Sequence, residues 1–97
     1  MRTKRFGFGI IGCGNIGPAH ASAINAVADA QLIAVTDILE DKAKSFAEKF
    51  NAKCWYTDYQ EMLKRDDIDV VCICTPSGMH SEMAVAAADA KKHILCE

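Results

Sequence analysis

The sequence predicts an α/β fold: a doubly wound parallel sheet of about five strands in the order 3-2-1-4-5, with helices on both faces. Three observations carry that prediction. Short apolar runs rich in branched residues alternate along the whole chain with segments of helical spacing. Uninterrupted apolar stretches such as Val70 to Cys74 and Ala84 to Ala88 fall far short of the roughly 20 residues that a membrane span needs. Finally, 97 residues that are 51% hydrophobic and 25% charged suit one globular domain with a real core, and exclude both disorder and a second full domain.

The elements follow in order. Phe6 to Ile11 reads as a first strand covered on both faces. After it, Ile16, Ala19, Ala23, Ile24 and Val27 fall close to one face of a helix. Leu32 to Thr36 forms the second strand, and Ala43, Phe46, Ala47 and Phe50 repeat at i, i+3, i+4 and i+7 in the helix behind it. Lys53 to Tyr56 leaves room for one brief strand. A short helix from Tyr59 to Lys64 is announced by Asp58 and Glu61, spaced as a capping box ahead of Met62 and Leu63. Val70 to Cys74 is the fourth strand, Met83, Ala84, Ala87 and Ala90 mark a fourth helix, and His93 to Cys96 closes the sheet. Consecutive right-handed βαβ units of this kind bind ligands outside the carboxyl ends of the strands, between strands one and four.

Charge and cysteine usage remove other classes. Eleven Lys and Arg stand against 13 Asp and Glu, a net charge of −2, and like charges run no longer than pairs such as Lys91-Lys92. Nothing here attracts nucleic acid or an anionic membrane. The basic start (Arg2, Lys4, Arg5) precedes an apolar stretch that is short and broken by glycine, so no signal peptide is expected, and the chain reads as cytoplasmic. Five cysteines are an odd number without Cys-x-x-Cys spacing, which points to reduced, buried thiols and to no metal site. Cys72 and Cys74, two apart on a strand, share one face.

Gly12-Cys13-Gly14-Asn15-Ile16-Gly17 fits G-x-G-x-x-G between a strand and a helix, the setting in which its glycines have a joint purpose. Gly12 permits a tight turn, Gly14 lets a pyrophosphate approach the backbone, and Gly17 lets the helix pack on the sheet. Amide groups at the helix start, with the helix dipole, then hold phosphate charge. The bland alternative is a bare strand-to-helix turn.

Asp37 lies twenty residues beyond Gly17, directly after the second strand, where such a site needs an acidic group for the adenosine ribose. Its neighbour Ile38 offers no positive charge to a 2′-phosphate, which favours NAD over NADP. Asp37 could equally cap the next helix, since Glu40 follows three residues later, and the two roles can coexist. Thr75-Pro76-Ser77-Gly78-Met79-His80 follows the fourth strand, facing the middle of the cofactor. Thr75 and Ser77 offer hydroxyls, Pro76 and Gly78 reverse the chain, and His80 opens a helix as a packing or capping group, or as a proton shuttle. His20 reads as structural, and His93 carries no evident chemistry.

The segments Gly12 to Gly17, Val35-Thr36-Asp37, Asp67 to Val71, Cys74-Thr75-Pro76 with His80, and Lys92-His93-Ile94-Leu95-Cys96-Glu97 together resemble the glucose-fructose oxidoreductase/inositol dehydrogenase/rhizopine catabolism (Gfo/Idh/MocA) family over the entire chain. The resemblance implies a Rossmann-type domain that binds NAD, with NADP the weaker choice. It implies cofactor contacts from Gly12, Gly14, Asn15, Ile16, Gly17, Asp37, Thr75, Pro76, Ser77, His80 and Glu97. In that family the terminal Lys-His-Ile-Leu-Cys-Glu runs into Lys-Pro, whose lysine is catalytic, and a second, sheet-rich domain brings an Asp and a His to a sugar hydroxyl. Residues 1–97 are thus expected to be the dinucleotide-binding domain, truncated before the catalytic and substrate-binding domain, with no catalytic residue of their own.

The parent is expected to be a homo-oligomeric oxidoreductase moving a hydride between a sugar, cyclitol or nucleotide-sugar hydroxyl and nicotinamide. Gly17-Pro18-Ala19-His20 with Cys74 to His80 looks most like members that oxidise the 3-hydroxyl of UDP-N-acetyl sugars. Two other classes compete. A stand-alone NAD(H)-binding or sensing module would use the same residues without catalysis. A nucleoside-binding methyltransferase would share the glycine loop and the acidic residue, but is disfavoured by the Thr75 to His80 loop and the terminal strand.

Overall fold

The computed structural model describes residues 6–12, 17–74 and 80–96, with the side chains of residues 80, 81 and 96 left aside. Among the described residues five strands alternate with four helices: β1 (Phe6–Ile11), α1 (Gly17–Ala26), β2 (Ala30–Thr36), α2 (Glu40–Phe50), β3 (Cys54–Tyr56), α3 (Tyr59–Leu63), β4 (Val70–Ile73), α4 (His80–Asp89) and β5 (His93–Cys96). The strands form one sheet in the order β3-β2-β1-β4-β5, and every neighbouring pair is parallel. The order and the class are those the alternating pattern predicts.

Each face of the sheet has its own core. On one, Ile10, Leu32, Val35 and Cys72 pack with Ala21 and Ile24 of α1 and Phe46 and Ala47 of α2. On the other, Ile11, Ile33, Ala34, Val71 and Ile73 meet Met62 and Leu63 of α3 and Met83 and Ala87 of α4. Right-handed crossovers require this division, because the chain steps outward through β2 and β3 on one side and through β4 and β5 on the other. Apolar residues thus occupy successive positions of β1, β2 and β4, the mark of strands covered twice.

Two helices differ in detail from the spacing argument. The buried face of α1 is Gly17, Ala21 and Ile24, whereas Ala19 and Ala23 face outward and Val27 is 54% exposed. With Gly17 pressed against the sheet, residues four and seven positions on must follow it inward. At α3, Asp58 is the N-cap and accepts from Gln60 N–H at 2.9 Å. Glu61, expected to complete the box, instead accepts from Lys64 Nζ at 3.0 Å. At the end of α4, Lys91 takes a left-handed conformation (φ 63°), and the Lys91 and Lys92 amides donate to Ala88 and Ala87 carbonyls, closing the helix as a Schellman turn.

Polar contacts fasten the far end of the sheet. Arg65 donates from Nε and Nη2 to the two carboxylate oxygens of Asp67, at 2.8 and 2.7 Å, and from Nη1 to Tyr56 Oη at 3.1 Å. Its carbonyl accepts Lys92 Nζ at 2.6 Å. The guanidinium holds the Asp67 carboxyl below its ordinary range, so this pair contributes stability at neutral pH that is lost as acid protonates the carboxylate.

Of the described thiols only Cys72 is buried as expected, while Cys54 and Cys74 are half-buried. None of the three is in a disulfide, Cys74 packs against the cluster that buries Cys72, and burial pushes the Cys72 thiol up to about 11. No helix among the described residues is long and apolar enough to cross a membrane. No group of three or more His, Cys, Asp or Glu among them could hold a metal ion.

Asp69 ties three strands together. Its Oδ2 accepts Gly7 N–H at 2.8 Å, its N–H donates to the Gly7 carbonyl at 2.7 Å, and its carbonyl accepts His93 N–H at 2.9 Å. Replacing Asp69 by Ala leaves the buried Gly7 amide without its carboxylate, at a cost of about 1–3 kcal/mol. Urea denaturation should show a lower midpoint for Asp69→Ala, and Asp69→Asn, which keeps an acceptor oxygen, should recover most of the loss.

Candidate functional site

Parallel pairing places the carboxyl ends of the strands at one level. Ile11 is in register with Thr36 of β2 and with Ile73 of β4, and Thr36 with Tyr56 of β3. The ladder continues one step past these ends. Gly12 N–H donates to the Thr36 carbonyl at 2.8 Å, Asp37 N–H to the Tyr56 carbonyl at 3.2 Å, and Cys74 N–H to the Ile11 carbonyl at 2.8 Å. Gly12, Asp37 and Cys74, the first residues beyond β1, β2 and β4, therefore share one edge of the sheet.

Gly12 turns the chain at φ 93°, a conformation that side-chain-bearing residues rarely adopt. Gly17 begins α1, and a Cβ there would lie 3.0 Å from the Gly12 carbonyl oxygen and 3.3 Å from the Phe46 ring. The first turn of α1 is thus held directly against the glycine turn and against α2. It carries no acidic residue, so nothing in that turn offsets the positive end of the helix dipole. Pro18 suits the same turn, where its missing N–H costs no helical bond.

Asp37 is half-buried, and its Oδ1 accepts Leu39 N–H at 2.9 Å. This is an Asx turn. The N-cap of α2 is Leu39 and not Asp37, so the capping alternative resolves into a turn between β2 and α2. Behind it Thr36, a buried polar residue at 3% exposure, donates its hydroxyl to Met62 Sδ at 3.2 Å.

The structure thus brings Gly12, Gly17 and Asp37 together. Gly14, Asn15, Ile16, Thr75, Pro76, Ser77 and Glu97 lie outside the described residues, as does the side chain of His80, whose backbone opens α4. Cys74, the last described residue before the Thr75 to Ser77 segment, lies beside the Gly12 turn, because β1 and β4 are neighbours and its N–H donates to the Ile11 carbonyl. His20 is half-buried on α1 and His93 is exposed on β5. Spacing alone missed the Leu39 amide as the partner of Asp37, although an acidic residue followed by a helix start two positions later is a readable signal of such a turn. It also missed Phe46 as the wall behind Gly17.

A glycine turn with positive φ, a helix start pressed onto it and a carboxylate at the end of the next strand are the features a dinucleotide requires. Residues 6–97 match the model of the Gfo/Idh/MocA family, described as an oxidoreductase family with an NAD-binding Rossmann fold. The chain belongs to this family. It is 38% identical over 89 residues to a myo-inositol 2-dehydrogenase of Thermotoga maritima, covering 92% of this chain and 27% of the relative. An inositol 2-dehydrogenase of Rhizobium meliloti is 39% identical over 90 residues, covering 93% and 27%.

Among solved structures, scyllo-inositol dehydrogenase from Lactobacillus casei with bound NAD(H) and scyllo-inositol superposes with a TM-score of 0.88 at 30% identity. The match covers 96% of this chain and 28% of that one. The chain spans about a quarter of the length of the relatives it matches. Cofactor binding is thus assigned to an NAD-binding Rossmann domain of an oxidoreductase family.

The turn itself is open to test. Gly12→Ala forces a side chain into the positive-φ region at a cost of about 1–3 kcal/mol. A thermal melt should show a reduced midpoint with the far-ultraviolet spectrum retained, and an unchanged midpoint would mean that the turn relaxes freely.

Proposed function

We propose that residues 1–97 are the cofactor domain of an enzyme that transfers a hydride between a secondary alcohol of a cyclitol or sugar and NAD. The observation that carries this reading is the placement of the Asp37 carboxylate one strand away from the Gly12 turn. Asp37 takes the ribose hydroxyls of the adenosine half. The backbone amides from Gly12 to Gly17, including those of Gly14, Asn15 and Ile16, hold the pyrophosphate with help from the α1 dipole. Thr75, Pro76, Ser77, His80 and Glu97 complete the cofactor site from β4 and β5. Nicotinamide, when bound, supplies the hydride chemistry, while the protein orients it and excludes competing reactions.

The inositol dehydrogenases among the relatives favour a cyclitol over the UDP-N-acetyl sugar suggested by Gly17 to His20 and Cys74 to His80. By the resemblance, the proton-accepting lysine follows Glu97 and the substrate groups belong to a second domain. Residues 1–97 therefore bind NAD without turning over a substrate, in a cytoplasmic setting that keeps the thiols reduced. Among the described residues no strand pairs with the outer side of β5, where Ile94 is 37% exposed and Leu95 is 47% exposed, so residues 1–97 taken alone are expected to self-associate there. Unblunted edges of this kind pair with other chains.

Calorimetry should find NAD bound more tightly than NADP, because the Asp37 carboxylate repels a 2′-phosphate and Ile38 cannot neutralise it. Charge-assisted hydrogen bonds are worth about 1.5–3 kcal/mol, so Asp37→Ala should weaken NAD binding roughly 10- to 150-fold. A preference for NADP would overturn this assignment of Asp37.

The 97-residue chain incubated with NAD and myo-inositol should form no NADH, and light scattering should show species larger than a monomer. Measurable NADH would require a base within these residues. A strictly monomeric solution at high concentration would remove the role given to the β5 edge.

A further inference from the structure

Helix α2 meets α1 at two places far apart along α1. At the start, the space that a Gly17 side chain would enter is closed by the Phe46 ring, whose Cε2 and Cζ lie 3.3 and 3.4 Å from an ideal Cβ at that position. At the end, Asn25 Nδ2 donates to the Phe50 carbonyl at 2.9 Å. The two contact points on α2 are themselves joined. The Phe46 and Phe50 rings pack with centroids 4.7 Å apart and planes tilted by 42°, and Lys49 Nζ lies 5.5 Å from the centre of the Phe50 ring. Phe46 is buried in the same cluster as Ile10 of β1 and Ile24 of α1, so close packing leaves its ring little freedom to retreat from the glycine.

We infer that Phe46 is a positioning residue for the pyrophosphate, its ring holding the start of α1 at the level where the helix amides meet the phosphates. The inference rests on the proposed assignment of the pyrophosphate to this helix start. Asn25 tethers α1 at its far end. At its near end the helix is bounded by the Phe46 ring on one side and by the Gly12 carbonyl oxygen, 3.0 Å from the same ideal Cβ, on the other. Removing the outer atoms of the ring opens space on the α2 side alone, and the start of α1 pivots into it because a packed structure partly collapses around a void. Hydrogen bonds weaken steeply once distance and angle depart from their optimum, and those to a charged group are the strong ones. A small pivot therefore costs pyrophosphate affinity. Asp37 is spared, since its backbone is bonded to Tyr56 and its Oδ1 to Leu39, so Phe46 acts on one half of the ligand.

The test compares the unmodified 97-residue chain with Phe46→Leu and Phe46→Met, using NAD by calorimetry and adenosine by NMR titration. Leucine and methionine are apolar and close in volume, so they disturb the core to a similar extent. Only methionine carries an atom as far out as the ring Cε2. Phe46→Leu should weaken NAD by about tenfold, the worth of one charge-assisted hydrogen bond, and should leave adenosine, which has the ribose but no phosphate, within about twofold. Phe46→Met should recover most of the NAD affinity, although urea midpoints place the two variants at similar stability. A smaller folded fraction lowers both ligands in the same proportion, so the ratio of NAD to adenosine affinity isolates the positioning effect. Unchanged NAD affinity in Phe46→Leu, equal losses in the two variants, or a matching loss of adenosine overturns the role of Phe46 and leaves the pyrophosphate on α1. Failure of the unmodified chain to bind NAD overturns the proposed function, and the role of Phe46 with it.

Discussion

One hydrogen bond, from the Gly12 amide to the Thr36 carbonyl, organises the ligand edge of this molecule. It carries the β1–β2 ladder one residue past the end of β1, so the glycine turn cannot drift away from the carboxylate that follows Thr36. Parallel strands make such an arrangement possible because their carboxyl ends all face one way, whereas neighbouring antiparallel strands would separate the two groups by the length of a strand. The rest of the site is built outward from that bond. Gly17 can bring α1 against the Gly12 carbonyl only because the turn is held in place, and Phe46 fills the space behind it. Asp37 is held at this edge because its backbone is bound to Tyr56 on one side and its Oδ1 to Leu39 on the other.

The division of the core into two clusters fixes the register of the strands that carry Gly12 and Asp37. Residues of β1 alternate between the two faces, Ile10 packing with α1 and α2 and Ile11 with α3 and α4. A shift of β1 by one residue would reverse every side chain and disrupt both layers at once. Gly12, one residue past β1, is therefore anchored through both core layers, although it lies at the edge of the sheet.

Much of this was legible in the sequence. Strand order, parallel pairing and the level of Gly12 and Asp37 all follow from alternating apolar patterns and short connections, which are local in sequence and strongly constrained in space. The facing of α1 was not legible, because its alanines are nearly equivalent as apolar surface and only the close approach at Gly17 decides which of them turn inward. Glu61 also escaped prediction. Spacing identifies a residue able to reach back to a helix start, but an exposed carboxylate with a lysine three positions away has a rival partner of similar energy. The Asx turn at Asp37 depends on a backbone amide, a donor that every residue except proline owns, so only the position of an acidic residue two places before the helix start points to it.

Arg65 has a mechanical consequence. Through its guanidinium it holds Tyr56 of β3, one margin of the sheet, and through its carbonyl it holds Lys92 at the threshold of β5, the opposite margin. Peripheral strands of open sheets ordinarily fray independently, each exposing its amides on its own timescale. Here both margins lean on a single residue in the connection between α3 and β4. Local opening at either side removes a contact that restrains that connection, so the two borders are mechanically linked through one residue although three strands lie between them.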